Sequence, residues 1–251
     1  MIHVEGLTIG WGARVLMRDV SFDVARGDVF VVLGGSGCGK STLLRHLIGL
    51  ERPMAGRITI ERLGAPRDAC VGRGAAPAFG VMFQSGALLG SMTLAENVGL
   101  PLRTWTDLPP AAVEAVVRAK LALVGLDGFE NHLPNELSGG MKKRAAIARA
   151  LALDPPLVFL DEPSAGLDPV SAVELDDLLL ALNRALGLTL VVVTHELQSI
   201  FAIATRCIML DREAQGIIAR GDPRWLRDHG DDPRVRRFFN RQAAPTAPAG
   251  A

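Results

Sequence analysis

Gly34-Gly35-Ser36-Gly37-Cys38-Gly39-Lys40-Ser41-Thr42 follows the apolar run Asp28–Leu33 and precedes a helical pattern, Lys40–Leu50. The run has the form G-x-x-x-x-G-K-[ST], in the strand-then-helix context that this pattern requires. Its chemistry is specific. The glycines let successive backbone N–H groups turn inward around phosphates, and a helix N-terminus adds partial positive charge. Lys40 supplies a cation for the β- and γ-phosphates, and Ser41 a hydroxyl for a magnesium ion.

A second element of the same kind lies about a hundred residues downstream. Leu137-Ser138-Gly139-Gly140-Met141 is followed by Lys142, Lys143 and Arg144, and a helix is expected over Ser138–Leu151. Ser138 can cap that helix, and Gly139 and Gly140 permit close approach of an anion to the backbone. Two separate phosphate-gripping elements in one chain suggest a nucleotide held between two copies of it.

A third element is Leu157-Val158-Phe159-Leu160-Asp161-Glu162. Four apolar residues predict a buried strand, and two carboxylates emerge at its C-terminal end, where parallel sheets bind ligands. Asp161 suits a magnesium ion. Glu162 suits a general base that activates water.

The surrounding pattern predicts an α/β fold. Strands are expected at 2–9, 19–25, 28–33, 57–61, 79–83, 157–161, 189–194 and 206–210. Residues 62–78, rich in Gly, Ala, Pro and Arg, read as a loop. Helices are expected at 93–103, 109–124, 138–151, 170–186 and 196–204. Strands alternating with helices imply a mostly parallel sheet with helices on its faces. The helical block near 87–152 interrupts the alternation and reads as an insertion. The expected division is a core from 1–86 and 153–221, a helical subdomain at 87–152, a C-terminal extension at 222–242 and a disordered tail at 243–251.

Composition narrows the function. The chain has 251 residues, 49% apolar and 22% charged, with a formal net charge of zero. That balance supports a sizeable core and offers no global attraction to nucleic acid. Cys38, Cys70 and Cys207 are scattered, without metal spacing or an even count for disulfides, which fits a reducing cytoplasm. The N-terminal residues lack a signal-peptide pattern, and no apolar run reaches the length of a membrane span. Work at a membrane would need another chain as anchor.

These motifs, in this order, resemble the nucleotide-binding subunit of ATP-binding cassette (ABC) transporters, over nearly all of residues 1–221. The resemblance implies a P-loop NTPase core with an antiparallel β-subdomain and an inserted helical subdomain, binding ATP and Mg²⁺. It implies that Trp11 stacks on adenine and that residues 34–42 hold the phosphates. Gln84 would sense Mg²⁺ and the membrane subunit. Ser138, Gly139 and Gly140 would contact nucleotide across a homodimer, and Asp168, in Ser164-Ala165-Gly166-Leu167-Asp168, would lie in the loop at that interface. Ser41, Gln84 and Asp161 would hold the metal, and Glu162, His195 and Gln84 would serve hydrolysis. Taken singly, Trp11 has a lesser reading as ordinary packing, His195 reads as a core or capping histidine, and Asp168 as a helix start. The family usually has Gln where this chain has Met141.

A narrower resemblance rests on Val81–Leu88, Met92–Val98, the Leu-Ser-Gly-Gly-Met form, Ala150–Pro155 and Asp232–Phe239. These segments look like the ATPase of Mla, or MCE-associated, phospholipid transport systems. The implied partners are a multi-spanning permease and an MCE-domain protein, and the implied location is the cytoplasmic face of the bacterial inner membrane. An importer ATPase for a small solute such as an amino acid is the nearest alternative. A small-molecule kinase would have no use for Leu137–Met141. ABC proteins of DNA repair or translation typically carry two cassettes or a long coiled coil. Finally, Val235, Phe238 and Phe239 share one helix face, which suits either docking on a neighbouring subunit or packing on the chain's own core.

Overall fold

Strand β3 (Val29–Gly34) is buried along its whole length, and it organises the molecule. Its alternate side chains enter two different cores. Val29, Val31 and Leu33 pack among the helices. Phe30 and Val32 pack with the N-terminal strands. Strands β7 (Leu157–Asp161) and β8 (Thr189–Val193) divide their side chains in the same way, with Leu160 and Val192 on one side and Phe159 and Val193 on the other. A strand covered on both faces needs apolar residues at every position, which is why these runs do not alternate.

A computed structural model describes residues 1–62, 65–68 and 77–241. β3 lies in a six-stranded sheet of order β10-β9-β3-β8-β7-β6, completed by β6 (Gly80–Met82), β9 (Arg206–Asp211) and β10 (Gly216–Gly221). The β6, β7, β8, β3 and β9 neighbours pair in parallel, and β10 pairs antiparallel to β9. A second, antiparallel sheet has the order β2-β1-β4-β5, formed by β1 (Ile2–Trp11), β2 (Arg14–Val24), β4 (Ala55–Arg62) and β5 (Ala65–Asp68). Helix α1 (Lys40–Leu47) follows β3, and its Leu43, Leu44 and Leu47 fill the core between the two sheets.

Between β6 and β7 the chain leaves the sheet as three α-helices, α2 (Leu94–Trp105), α3 (Pro110–Leu123) and α4 (Gly139–Ala150), with a short 3-10 turn at Pro134–Glu136 before the last. The start of α2 is fixed by a capping box. Thr93 Oγ1 accepts from the Glu96 N–H at 3.2 Å, while the Thr93 N–H donates to the Glu96 carboxylate at 2.8 Å. Helix α4 packs on α2, α3, β6 and α5 (Pro169–Leu186), so it joins the insertion to the sheet. The remaining helices are α6 (Leu197–Ile203), α7 (Pro223–His229) and α8 (Pro233–Phe239).

The expected α/β architecture is present, with several corrections. β5 falls inside the stretch 62–78 that reads as loop; its pairing with β4 supplies what composition does not. β2 begins at Arg14 rather than 19, because the polar pair Arg18 and Asp19 breaks the alternation. Asp19 has φ 51° and the ladder shifts register along this strand. Helix α1 stops at Leu47, before the left-handed Gly49. Strand β10 and helix α7 carry no strong period and were not expected. Val235 and Phe239 of α8 are buried in the chain's own core, where Phe239 lies 5.6 Å from the Phe201 ring. That part of the stripe is therefore not free for a neighbour. Cys70 and the expected disordered tail, 243–251, lie outside the described residues.

Candidate nucleotide site

The C-terminal ends of β3, β7 and β8 converge on one cleft of 710 Å³, lined by Trp11, the 34–42 loop, Gln84, Glu162 and His195. The loop that leaves β3 is shaped by glycine. Gly34 has φ 147°, and a Cβ there would stand 2.4 Å from the Leu210 carbonyl oxygen and 2.8 Å from Cys38 Sγ. Gly39, with φ 99°, is the N-cap of α1, whose first residues Lys40, Ser41 and Thr42 line the cleft. Lys40 Nζ donates to the carbonyl oxygens of Gly34, at 2.9 Å, and Gly35, at 3.2 Å, which holds the ammonium over the loop. Cys38 is buried, and that burial pushes its thiol pKa up, so it serves as packing here.

The acidic pair at the end of β7 is separated in role by its contacts. Asp161 is buried, and Ser41 Oγ donates to its Oδ1 at 3.2 Å. Burial raises the Asp161 pKa, while the Ser41 bond opposes the rise. A buried carboxyl in this setting gains from a cation, and the hydroxyl beside it is a second hard oxygen ligand. Glu162 turns the other way. It has φ 46°, a left-handed conformation uncommon for a non-glycine residue, and its Oε1 lies 2.7 Å from His195 Nδ1. Its second carboxylate oxygen, Oε2, is buried without a hydrogen-bond partner. A buried acceptor without a donor is costly, and it is what a base awaiting a water proton would present.

Gln84 follows β6 and borders this cleft as well as a neighbouring one of 640 Å³ that is also lined by Ser41, Asp161 and Gly166. Trp11 is 55% exposed at the rim, so its ring is not held by core packing. Among the described residues no group of three or more His, Cys, Asp and Glu side chains is placed to hold a metal. The donor set that fits a metal is the mixed one of Ser41, Asp161 and Gln84, which suits Mg²⁺ shared with substrate phosphates.

The Ser138–Gly140 element does not join this cleft. Ser138 caps α4 by accepting from the Met141 N–H at 3.2 Å, and Ser138 and Gly140 line a different cleft with Arg144 and Ser171. Asp168 caps α5, accepting from the Val170 and Ser171 N–H groups and the Ser171 hydroxyl, and it borders neither cleft that holds Lys40 or Asp161. The Ser171 hydroxyl bond holds the Asp168 carboxyl below the usual range. One chain thus brings together Trp11, 34–42, Gln84, Asp161, Glu162 and His195, and keeps Ser138, Gly139, Gly140 and Asp168 apart from them.

Arg14, Leu16 and Phe238 also line the main cleft, and reading the motifs does not find them. Arg14 and Leu16 lie 18 or more residues before the loop and carry no pattern of their own, and the stripe of Val235, Phe238 and Phe239 does not say which cleft Phe238 borders.

Residues 17–165 match the family model described as ABC transporter. The chain is 41% identical over 242 residues to the probable ribonucleotide transport ATP-binding protein mkl of Mycobacterium leprae, covering 95% of this chain and 68% of that one. It is 38% identical over 245 residues to the intermembrane phospholipid transport system ATP-binding protein MlaF of Escherichia coli, covering 96% and 88%. Among solved structures, the dimeric post-hydrolysis state of the ATP-binding cassette MJ0796, bound to ADP and Pi, has a TM-score of 0.77 at 29% identity, covering 88% of this chain and 98% of that one. With its phosphate loop, paired acids and helical insertion on one mostly parallel sheet, the chain belongs to the ABC transporter family and is an ABC ATPase.

Proposed function

We propose that the chain is the motor ATPase of an Mla- or MCE-type complex that moves phospholipid or a related lipid between the inner membrane and the cell envelope. The observation that carries the working unit is the separation of the two phosphate-gripping elements. Lys40 and Ser41 open onto one cleft, and Ser138 and Gly140 onto another. A homodimer would complete each site with Ser138–Gly140 and Asp168 of the second copy. The dimeric MJ0796 structures support that arrangement. ATP carries several negative charges, and enclosing them requires donors on both sides.

Within one site, Trp11 supports the adenine ring and the 34–42 loop binds the phosphates. Ser41, Asp161 and Gln84 would hold Mg²⁺, which when bound neutralises charge on the phosphates. Glu162 accepts the proton of the attacking water through its free Oε2, and His195 orients the carboxylate through Oε1. Closure on ATP and opening after hydrolysis would then drive a permease seated over Gln84 and residues 87–98. Among the described residues no helix is long and apolar enough to cross a membrane. By its likeness to MlaF, the chain would sit on the cytoplasmic face through its partners, a multi-spanning permease and an MCE-domain protein.

Lipid as the cargo is supported by the 38% identity to MlaF. A second reading, import of a small solute, draws on the mkl relative, whose name refers to ribonucleotide transport. Glu162→Gln tests the motor: hydrolysis is lost and an ATP-bound dimer accumulates, whereas normal turnover would end the assignment. Co-purification tests the cargo class. A permease with an MCE-domain protein supports lipid, and a soluble solute-binding protein supports the second reading.

A further inference from the structure

Helix α4 carries two cationic side chains that the nucleotide cleft does not use. Lys143 is 7% exposed, and its Nζ donates to the Gln84 carbonyl oxygen at 2.5 Å and the Glu162 carbonyl oxygen at 3.2 Å. Arg149, six residues further along, donates from Nη1 to the Ala87 carbonyl oxygen at 2.7 Å and from Nη2 to the Gly86 carbonyl oxygen at 2.8 Å. Four backbone carbonyls, three of them in the segment 84–87, are thus held by one helix. That helix is capped by Ser138, so it bears the element expected to meet the second copy's nucleotide.

The Glu162 contact has a particular consequence. A non-glycine residue held in the left-handed region persists only where its surroundings fix it. The Glu162 N–H donates to the Val193 carbonyl oxygen at 2.8 Å. Lys143 holds the carbonyl of the same residue. These two bonds set the peptide planes on either side of Glu162, and therefore the direction in which its carboxylate leaves the backbone. A buried ammonium also requires acceptors, so its two carbonyls are held firmly in return.

We infer that Lys143 is a positioning residue for hydrolysis, linking the carbonyls of Gln84 and Glu162 to α4, with Arg149 fixing the following loop to the same helix. This rests on the reading of Glu162 as base. Displacement of α4 at its Ser138 end then turns the Glu162 backbone and the Gln84 segment together within the same subunit. Binding at one half-site is thereby reported to the base of the other.

The test uses the full-length chain with Lys143→Met, which keeps the stem and removes the donor, and Lys143→Gln, which restores two N–H donors on one nitrogen. Lys143→Met is expected to lower kcat at least 30-fold with the KM for ATP within 3-fold of wild type, and Lys143→Gln to recover kcat to within 5-fold. Hydrogen exchange in the peptide covering 84–88 is expected to quicken at least 5-fold in Lys143→Met and in Arg149→Lys, which loses the fork across Gly86 and Ala87. A Lys143→Met kcat within 3-fold of wild type overturns the inference. So does an equal loss in the Met and Gln variants, or unchanged exchange in Arg149→Lys, a readout that stands even where Lys143→Met fails to fold. Glu162→Gln is measured alongside. Turnover in that variant sinks the base assignment itself, whereas its loss beside an active Lys143→Met sinks only the role of Lys143.

Discussion

Asp176 lies on α5, 5% exposed, and its Oδ1 has no hydrogen-bond partner. Burial raises its pKa from 3.8 to about 6, opposed by the Ser199 hydroxyl and aided by the neighbouring Asp177 carboxylate. A carboxyl whose folded pKa lies above its unfolded value binds protons better in the native state. Stability therefore falls as pH rises from about 4 through 6, and the full cost is present above that window. The difference between 3.8 and about 6 corresponds to about 3 kcal/mol. Asp176→Asn removes the charge at nearly constant volume, and its new N–H groups have the Ser199 hydroxyl oxygen nearby. The variant is expected to be more stable than wild type by about 1–3 kcal/mol at pH 8. That advantage should shrink by about 2 kcal/mol between pH 8 and pH 4 as the wild-type carboxyl takes up its proton. Urea unfolding of nucleotide-free protein at pH 4, 6 and 8 measures it, since other carboxylates titrate alike in both proteins and cancel in the difference. A difference that stays flat across this range, or a variant less stable at pH 8 than at pH 4 relative to wild type, would refute the argument.

Two further outcomes are expected. Gly34→Ala places a methyl group 2.4 Å from the Leu210 carbonyl oxygen, so β9 or the phosphate loop must shift; a loss of about 1–3 kcal/mol in stability and at least tenfold weaker ATP binding should follow, read by thermal unfolding and equilibrium binding. On the proposal that Trp11 supports the adenine, Trp11→Ala removes a stacking face worth about 1–3 kcal/mol per base, while Trp11→Phe keeps most of it; ATP affinity should fall roughly tenfold or more in the first variant and by less than threefold in the second, in titrations with a fluorescent ATP analogue.

The phosphate loop was legible because its chemistry is contiguous. Glycine spacing, Lys40 and Ser41 specify a backbone path that needs no distant residue to define it. The buried strands were legible for a similar reason: a run such as Leu157–Leu160 can be satisfied only between two covered faces. Other features had no local sign. β5 and β10 are edge strands whose identity rests on a neighbour's hydrogen bonds. The irregular register of β1 and β2 hid five residues of β2 from an alternation rule.

By itself, then, the sequence determined an α/β nucleotide-binding cassette, its motifs and their order along the chain. It left open whether Val235, Phe238 and Phe239 face a neighbour or the core. Only the tertiary structure decided that Val235 and Phe239 lie in the chain's own core, because burial depends on where α8 folds back. Only the tertiary structure placed Ser138–Gly140 and Lys40–Ser41 on different clefts, and joined Lys143 to carbonyls 59 and 19 residues away. The physical reason is common to these cases. A backbone carbonyl looks the same at every position in a sequence, so which one a buried cation meets is settled when helix α4 packs against the sheet.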